Sequence, residues 1–219
     1  MIVNTKQMVN PDSYAVRLLG DLLKDVAVIA GGCIVSILNN KPINDIDIFL
    51  TKPVDLHKDI LSRLRPYMSS IETQGISGKY CVYYDVNIPS YTDKINQYKI
   101  NIIQNGHTSV RQVIDDFDFV NVKVYYNTYR KEFEGDMHLA ILGQPLIVSN
   151  IKHPVKLIER INKYINKGFI FDATAKEIVA QKLNRWYLEN GDNDSYMDTD
   201  YIDKPDSRRH RNIFAREEQ

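Results

Sequence analysis

The apolar positions change their period several times along the chain. Ala15, Val16, Leu19, Leu22 and Leu23 recur at helical spacing behind Asn10-Pro11-Asp12-Ser13, which reads as a turn and helix cap. Val26 to Ala30 is a short run rich in valine and isoleucine, the pattern of a buried strand, and Gly31-Gly32 breaks it. Cys33 to Leu38 supports a short helix closed by Asn39-Asn40 and Pro42. Asp45 to Leu50 alternates acid with apolar and then becomes wholly apolar, which predicts a second strand. Asp55 to Arg65 is amphipathic, with Leu56, Ile60, Leu61 and Leu64 on one helical face and Pro66 as a stop.

Lys79 to Val86 and Tyr98 to Gln104 are β-branched and aromatic, so strands are expected there, the second ended by Asn105-Gly106. Ser109 to Ile114 predicts a short helix and Phe117 to Tyr126 another strand. From Pro154 the period is helical, with Val155, Ile158, Ile161 and Ile165 as the buried face and Gly168 at the C-terminal cap position. Thr174 and Glu177 have capping-box spacing for a last helix through Trp186 and Tyr187. The remainder is polar, with a basic Ser207-Arg208-Arg209-His210-Arg211 stretch, and reads as a mobile tail. The predicted class is α+β: a mixed-sheet domain over residues 1–150, a small helical module over 151–190 and a tail over 191–219.

Composition narrows the function. The chain has 219 residues, 43% hydrophobic and 26% charged, which is the profile of a folded protein rather than a disordered one. Lys+Arg and Asp+Glu are 28 each, so a generally polybasic nucleic-acid binder is excluded, although local basic surfaces are not. Cys33 and Cys81 are the only cysteines, too few for a disulfide framework or a four-cysteine zinc site, which favours a reducing compartment. Val26 to Leu38, the most apolar window, falls short of the roughly 20 residues that span a bilayer. With no basic region and apolar stretch at the N-terminus, the expected location is cytoplasmic, with no membrane partner. His57, His107, His138, His153 and His210 are scattered without metal-ligand spacing, and no serine or cysteine sits in a nucleophile elbow.

The informative stretch runs from Gly31-Gly32-Cys33 to Asp45-Ile46-Asp47. A strand that ends in two glycines and opens a helix lets backbone approach a ligand closely and points N–H groups at an anion. Cys33 at that helix start is a weak donor toward a phosphate oxygen, and a nucleophile there would be opposed by the neighbouring aspartates. Asp45 and Asp47 stand two apart on a strand and so face the same side. Carboxylates that close repel unless a cation sits between them, and oxygen-only ligands suit Mg²⁺ or Mn²⁺. A phosphate cradle beside such a pair is equipment for phosphoryl or nucleotidyl transfer.

In this order and spacing, Gly31-Gly32-Cys33 with Asp45-Ile46-Asp47 resembles the active-site signature of the DNA polymerase β-type nucleotidyltransferase superfamily, which includes CCA-adding enzymes, poly(A) polymerases and small stand-alone members of phages and prokaryotes. Cysteine stands where serine is common. The resemblance covers Val26 to Leu50 and extends more weakly to Phe117-Asp118-Phe119 and to Lys163-Tyr164 with Gly168-Phe169. It implies a nucleotidyltransferase domain, an NTP as donor, and two Mg²⁺ or Mn²⁺ ions held by three carboxylates, with the third on a later strand. On Tyr98 to Gln104 the inward candidates are Asn101 and Gln104, which are not acids. Asp118, set opposite Phe117 and Phe119 if strand alternation holds, is the expected third ligand beside Asp45 and Asp47, with Asp85 as its rival.

Lys152, Lys156, Arg160, Lys163 and Lys167 form a basic stripe on one helical face, with Glu159 the only acid among them. On the resemblance, this face lies toward the nucleotide. Gly31, Gly32, Cys33, Arg160 and Lys163 are then expected to bind the NTP, and Lys152 and Lys156 to bind RNA. The stripe favours a tRNA-like RNA 3′ end as acceptor. A protein side chain modified by AMP transfer, a small molecule, and a degenerate chain that binds nucleotide without turnover are the other readings.

Overall fold

The computed structural model describes residues 10–68, 75–76, 81–89, 95–151 and 154–190. Helix α1 (Pro11–Leu22) starts where the Asn10 side chain accepts the Asp12 N–H at 2.8 Å. Pro11 occupies the first turn, where no N–H is needed. Strand β1 (Ala27–Ile29), helix α2 (Gly32–Leu38) and strand β2 (Asp45–Leu50) follow the sequence expectation closely.

The amphipathic segment after β2 departs from it. Leu56–Leu61 winds in wide, π-type turns, α3 (Ser62–Leu64) is a single turn, and Arg65–Tyr67 is a 3₁₀ turn. Side chains compete for the backbone amides at its start: Asp55 N–H donates to Asp59 Oδ2 at 2.9 Å and Lys58 N–H to Asp55 Oδ1 at 3.1 Å. Pro66 removes a donor at its end. Ile60 and Leu64 are nonetheless fully buried, so the apolar pattern still decides which side faces the core.

Strands β3 (Gly75–Ile76), β4 (Cys81–Pro89) and β5 (Ile95–Ile103) complete a five-stranded mixed sheet in the order β1-β2-β5-β4-β3, in which the β2–β5 pairing is parallel and the others antiparallel. Strand alternation gives the sheet two unlike faces. Ile46, Ile48, Tyr84, Val86, Ile100 and Ile102 point into the main core with Ala15, Val16 and Leu19 of α1 and Ile34 and Ile37 of α2. The opposite face carries Asp45, Asp47 and Asn101, all only partly covered. It becomes apolar at Val28 and Phe49, which helix α4 (Val110–Asp115) shields with Val113.

Phe117 to Tyr126 is not one strand. Phe119 makes an isolated bridge to Val148, Val120–Val122 is a 3₁₀ turn, and only β6 (Val124–Asn127) pairs, with β7 (Glu132–Gly135). The cause is Asn121, which is fully buried. Its amide donates to Leu139 O at 2.8 Å and Pro145 O at 2.9 Å and accepts from Ile147 N at 2.7 Å, so this stretch is fastened to the loop over 139–147 instead of a sheet ladder.

Helix α5 (Pro154–Lys167) is rotated from the expected face. Leu157, Ile161 and Tyr164 are buried, whereas Ile158 and Ile165 are 53% and 39% exposed. The expected set of Val155, Ile158, Ile161 and Ile165 therefore keeps only Ile161 as a buried member, and the side chain of Val155 is not described. Leu157/Ile158 and Tyr164/Ile165 are adjacent apolar pairs, so the sequence allowed two stripes one residue apart. The tyrosine decides between them, its ring meeting Phe119 edge-on at 5.3 Å and Phe169 at 6.0 Å. Helix α6 (Ala173–Asn190) is capped by Asp172, whose Oδ1 accepts the Ala175 N–H at 2.8 Å, rather than by Thr174. The tail expected over 191–219 lies outside the described residues, among which no helix is long and apolar enough to cross a membrane.

This seam has a direct check. Leu157→Ala should lower unfolding stability by about 2–5 kcal/mol, because it opens a core cavity. Ile158→Ala should change it by no more than about 0.5 kcal/mol. Equal losses in urea titrations would refute the assigned orientation of α5.

Candidate functional site

The site begins at the break after β1. Gly31 has φ +85° and ψ −138°, a conformation L side chains rarely adopt. Its N–H donates to Val124 O at 2.8 Å and Ala30 bridges Tyr125, so the turn is anchored on β6. Gly32 faces α5: a Cβ there would stand 3.6 Å from the Tyr164 hydroxyl and 3.8 Å from Lys167 Nζ. Lys167 Nζ donates to Ser36 Oγ at 3.1 Å and Gly32 O at 3.4 Å, tying the end of α5 to the glycine turn. Burial and then the neighbouring charge of Lys163 depress the Lys167 pKa.

Cys33 does not present its thiol for ligand contact. The side chain is buried, its Sγ lies 3.8 Å from Ala30 O, and burial followed by the Asp47 charge pushes its pKa up to about 12. A thiol so placed is neither an open phosphate donor nor a reactive thiolate. Its role is to fill space behind the turn.

Asp45 and Asp47 share one face of β2 as expected, and Asn101 on β5 stands directly beside Asp47 in the parallel register. The Asn101 amide donates to Asp47 Oδ1 at 2.7 Å and to Asp45 Oδ2 at 3.3 Å. Burial, and next the Asp45 charge, raise the Asp47 pKa, while the Asn101 hydrogen bond, Lys163 and Arg160 act in the opposite sense. The same carboxylates hold the Tyr164 hydroxyl well above its ordinary pKa, after burial as the first cause and with Asp47 the largest charge. Gly31-Gly32, Asp45, Asp47, Arg160, Lys163, Tyr164 and Lys167 are thus drawn into one neighbourhood.

Asp118 is placed differently from the expectation. It lies in no strand, so the alternation argument for it fails. Its carboxylate is buried and paired with the Arg160 guanidinium. Arg160 is correspondingly engaged by Asp118 rather than presented as a free cation. Asp85 shares the sheet face of Asp45, but Lys99 separates them in register, about 10 Å away at ordinary strand spacing. Among the described residues, no group of three or more His, Cys, Asp or Glu side chains is placed to hold a metal ion. The Asp45–Asp47 carboxylate oxygens are hard donors of the kind that fits a divalent cation, and the Asn101 amide, which presents its N–H₂ group to them here, carries a further oxygen beside them. Lys152 lies outside the described residues, and Lys156 is half-buried on α5.

The sequence turns Asn101 inward and puts Lys167 in the basic stripe without assigning either of them a ligand, and Tyr164 enters only through the resemblance. Asn101 is the residue that strand alternation turns inward on the neighbour of the Asp-x-Asp strand, and that signal was available. The contacts that Tyr164 and Lys167 make with the glycine turn depend on how α5 docks, and no local signal reports them.

The family described as Gad2, Gabija anti-defense 2 family protein, matches residues 5–141. No curated protein matches the chain. A solved CCA-adding enzyme in complex with ATP is similar at TM-score 0.53 and 15% identity, covering 85% of this chain and 45% of that one. CCA-adding enzyme apo form II gives 0.54 and 13%, covering 84% and 47%. Apo form I gives 0.51 and 13%, covering 84% and 45%. The likeness shows a nucleotidyltransferase-type α+β fold, and the chain spans a little under half the length of these enzymes.

The raised Asp47 pKa carries a stability consequence whose sign follows from linkage. A carboxyl with a higher pKa folded than unfolded favours the fold at low pH, and this contribution is lost as pH rises through the folded value. Asp47→Asn keeps an acceptor for Asn101 and removes the charge. It should therefore raise the melting temperature at pH 7 by a few degrees, about 2–4 °C per kcal/mol. The gain should vanish below the ordinary carboxyl value of 3.8. A pH-independent difference in calorimetry would contradict the assigned cause.

Proposed function

The chain belongs to the Gabija anti-defense 2 family, and from that premise we propose that it counters the Gabija defence as a nucleotidyltransferase, moving a nucleoside monophosphate from an NTP to an acceptor hydroxyl. The observation that carries this reading is the convergence of Asp45 and Asp47 on the Gly31-Gly32 turn under the cations of α5. In this reading residues 1–150 handle the nucleotide and residues 151–190 supply the cations over it.

The glycine turn brings backbone within reach of the triphosphate, where a side chain would intrude. Lys163, exposed on α5, and Lys167 offset the phosphate charge, and Tyr164 limits the space above Gly32. Asp45 and Asp47, with Asn101, would hold Mg²⁺ or Mn²⁺. Such an ion shields the charge of the phosphate oxygens and favours departure of pyrophosphate. The acceptor oxygen forms a bond to the α-phosphorus as the bond to the bridging α–β oxygen breaks. Pyrophosphate takes that electron pair, and the hydroxyl proton passes to solvent.

The acceptor is a macromolecular hydroxyl. An RNA 3′ end fits the basic stripe as a sequence feature. A protein hydroxyl of the defence machinery is favoured by one observation: Arg160 and Lys167 are already engaged, by Asp118 and by the glycine turn, instead of both being free to grip phosphates.

Incubating the protein with α-labelled NTPs, Mg²⁺ and either cellular RNA or the defence proteins tests the reading. Label should appear in one acceptor and pyrophosphate in solution. Asp45→Asn with Asp47→Asn should reduce transfer at least about a hundredfold, because the ion's contribution is several kcal/mol. Lys163→Glu should raise the NTP KM about tenfold, in line with roughly 1.5–3 kcal/mol for a charged hydrogen bond. Absence of label from every acceptor, with pyrophosphate undetected, would overturn transfer as the activity.

A further inference from the structure

We propose that Asn101 makes this a one-ion site: it is the neutral third ligand of a single divalent cation held with Asp45 and Asp47, and it excludes a second ion. The inference rests on the nucleotide-handling reading above and deepens it.

The register puts Asn101 level with Asp47 on the adjoining strand, with its side chain on the same sheet face. Both hydrogen bonds of its amide run to the two carboxylates, at 2.7 and 3.3 Å. In the metal-free arrangement the N–H₂ group offsets the mutual repulsion of Asp45 and Asp47. Half a turn about the last side-chain torsion exchanges Nδ2 for Oδ1. The bonds lost in that turn are those a cation replaces, and the oxygen gained is a suitable ligand for Mg²⁺ or Mn²⁺. One residue thus serves both states of the pair without changing the charge of the site.

That charge sets the number of ions. Two carboxylates balance one divalent cation. A second would have no carboxylate charge left to hold it and would depend on the triphosphate alone, beside Lys163 and Arg160, whose fields already reach Asp47. The nearest buried acid that could help, Asp118, is paired with Arg160, and no third acid joins the cluster among the described residues. An aspartate at position 101 would supply the missing charge at the missing place. The asparagine is therefore the residue that fixes the count.

Mn²⁺ titration of the full chain with a non-hydrolysable NTP analogue, read by electron paramagnetic resonance and calorimetry, measures that count. The expected result is one Mn²⁺ per chain for the native protein and for Asp118→Asn, and two for Asn101→Asp. Asn101→Leu, which lacks the oxygen, should bind its single ion about tenfold more weakly. Melting curves without metal confirm that each variant folds. In that assay Asn101→Asp should melt below the native protein and regain stability with Mn²⁺, a readout independent of turnover. Two ions on the native protein, or an unchanged count in Asn101→Asp, would overturn the inference while leaving nucleotide binding intact. Failure of both Mn²⁺ and the analogue to bind the native protein would overturn the nucleotide-handling reading and this inference with it.

Discussion

Two carboxylates on one face of β2 are the constraint around which the site is organised. Side by side, partly withdrawn from water, Asp45 and Asp47 cannot both carry charge without compensation. The chain supplies this from two directions. Asn101 donates to both from the neighbouring strand, and α5 brings Arg160 and Lys163 over them. None of the three neutralises the pair fully, and Asp47 stays displaced toward its protonated form. In the proposed reading, a divalent cation with its phosphate escort would supply the compensation that the protein leaves incomplete.

The glycine turn and α5 belong to the same arrangement. Gly31 adopts a backbone conformation that frees the next residues to approach the acid pair, and its N–H is fixed on β6. Lys167 closes the other side by bonding to Gly32 O and Ser36 Oγ. A lysine that gives up hydration for a carbonyl and a hydroxyl is held less strongly than one paired with a carboxylate. Its depressed pKa expresses that cost. In the proposed reading, triphosphate oxygens arriving above Gly32 would offer it a better partner and would replace this contact.

Much of this was legible locally. The helix cap at Asn10, the strand from Asp45, the Gly31-Gly32 break and the same-side placement of Asp45 and Asp47 depend on residues within a few positions of one another, and sequence spacing reports them. Two of the failures share one cause. Asp118 was read by strand alternation, but Asn121 draws its segment into a buried hydrogen-bond network with residues some twenty positions away. The face of α5 was read from isoleucines, but Tyr164 found Phe119 and Phe169 and turned the helix by one residue. Cys33 was read as a donor because it follows the glycines, whereas the start of α2 points its thiol back to Ala30. In the first two cases a long-range partner outweighed a valid local preference, whereas the partner of Cys33 is three residues away.

The rotation of α5 joins stability to function. Leu157, Ile161 and Tyr164 bury the helix on the core, and Arg160, Lys163 and Lys167 lie on turns interleaved with them. At about 100° per residue, a shift of the seam to Ile158 and Ile165 would swing those cations away from the acid pair and leave Asp118 buried without its arginine. Unpairing a buried charge costs more than exchanging one apolar stripe for another, so Asp118 helps select the orientation in which Lys163 faces Asp47. The acid expected to hold a metal instead pairs with the helix that brings positive charge to Asp45 and Asp47.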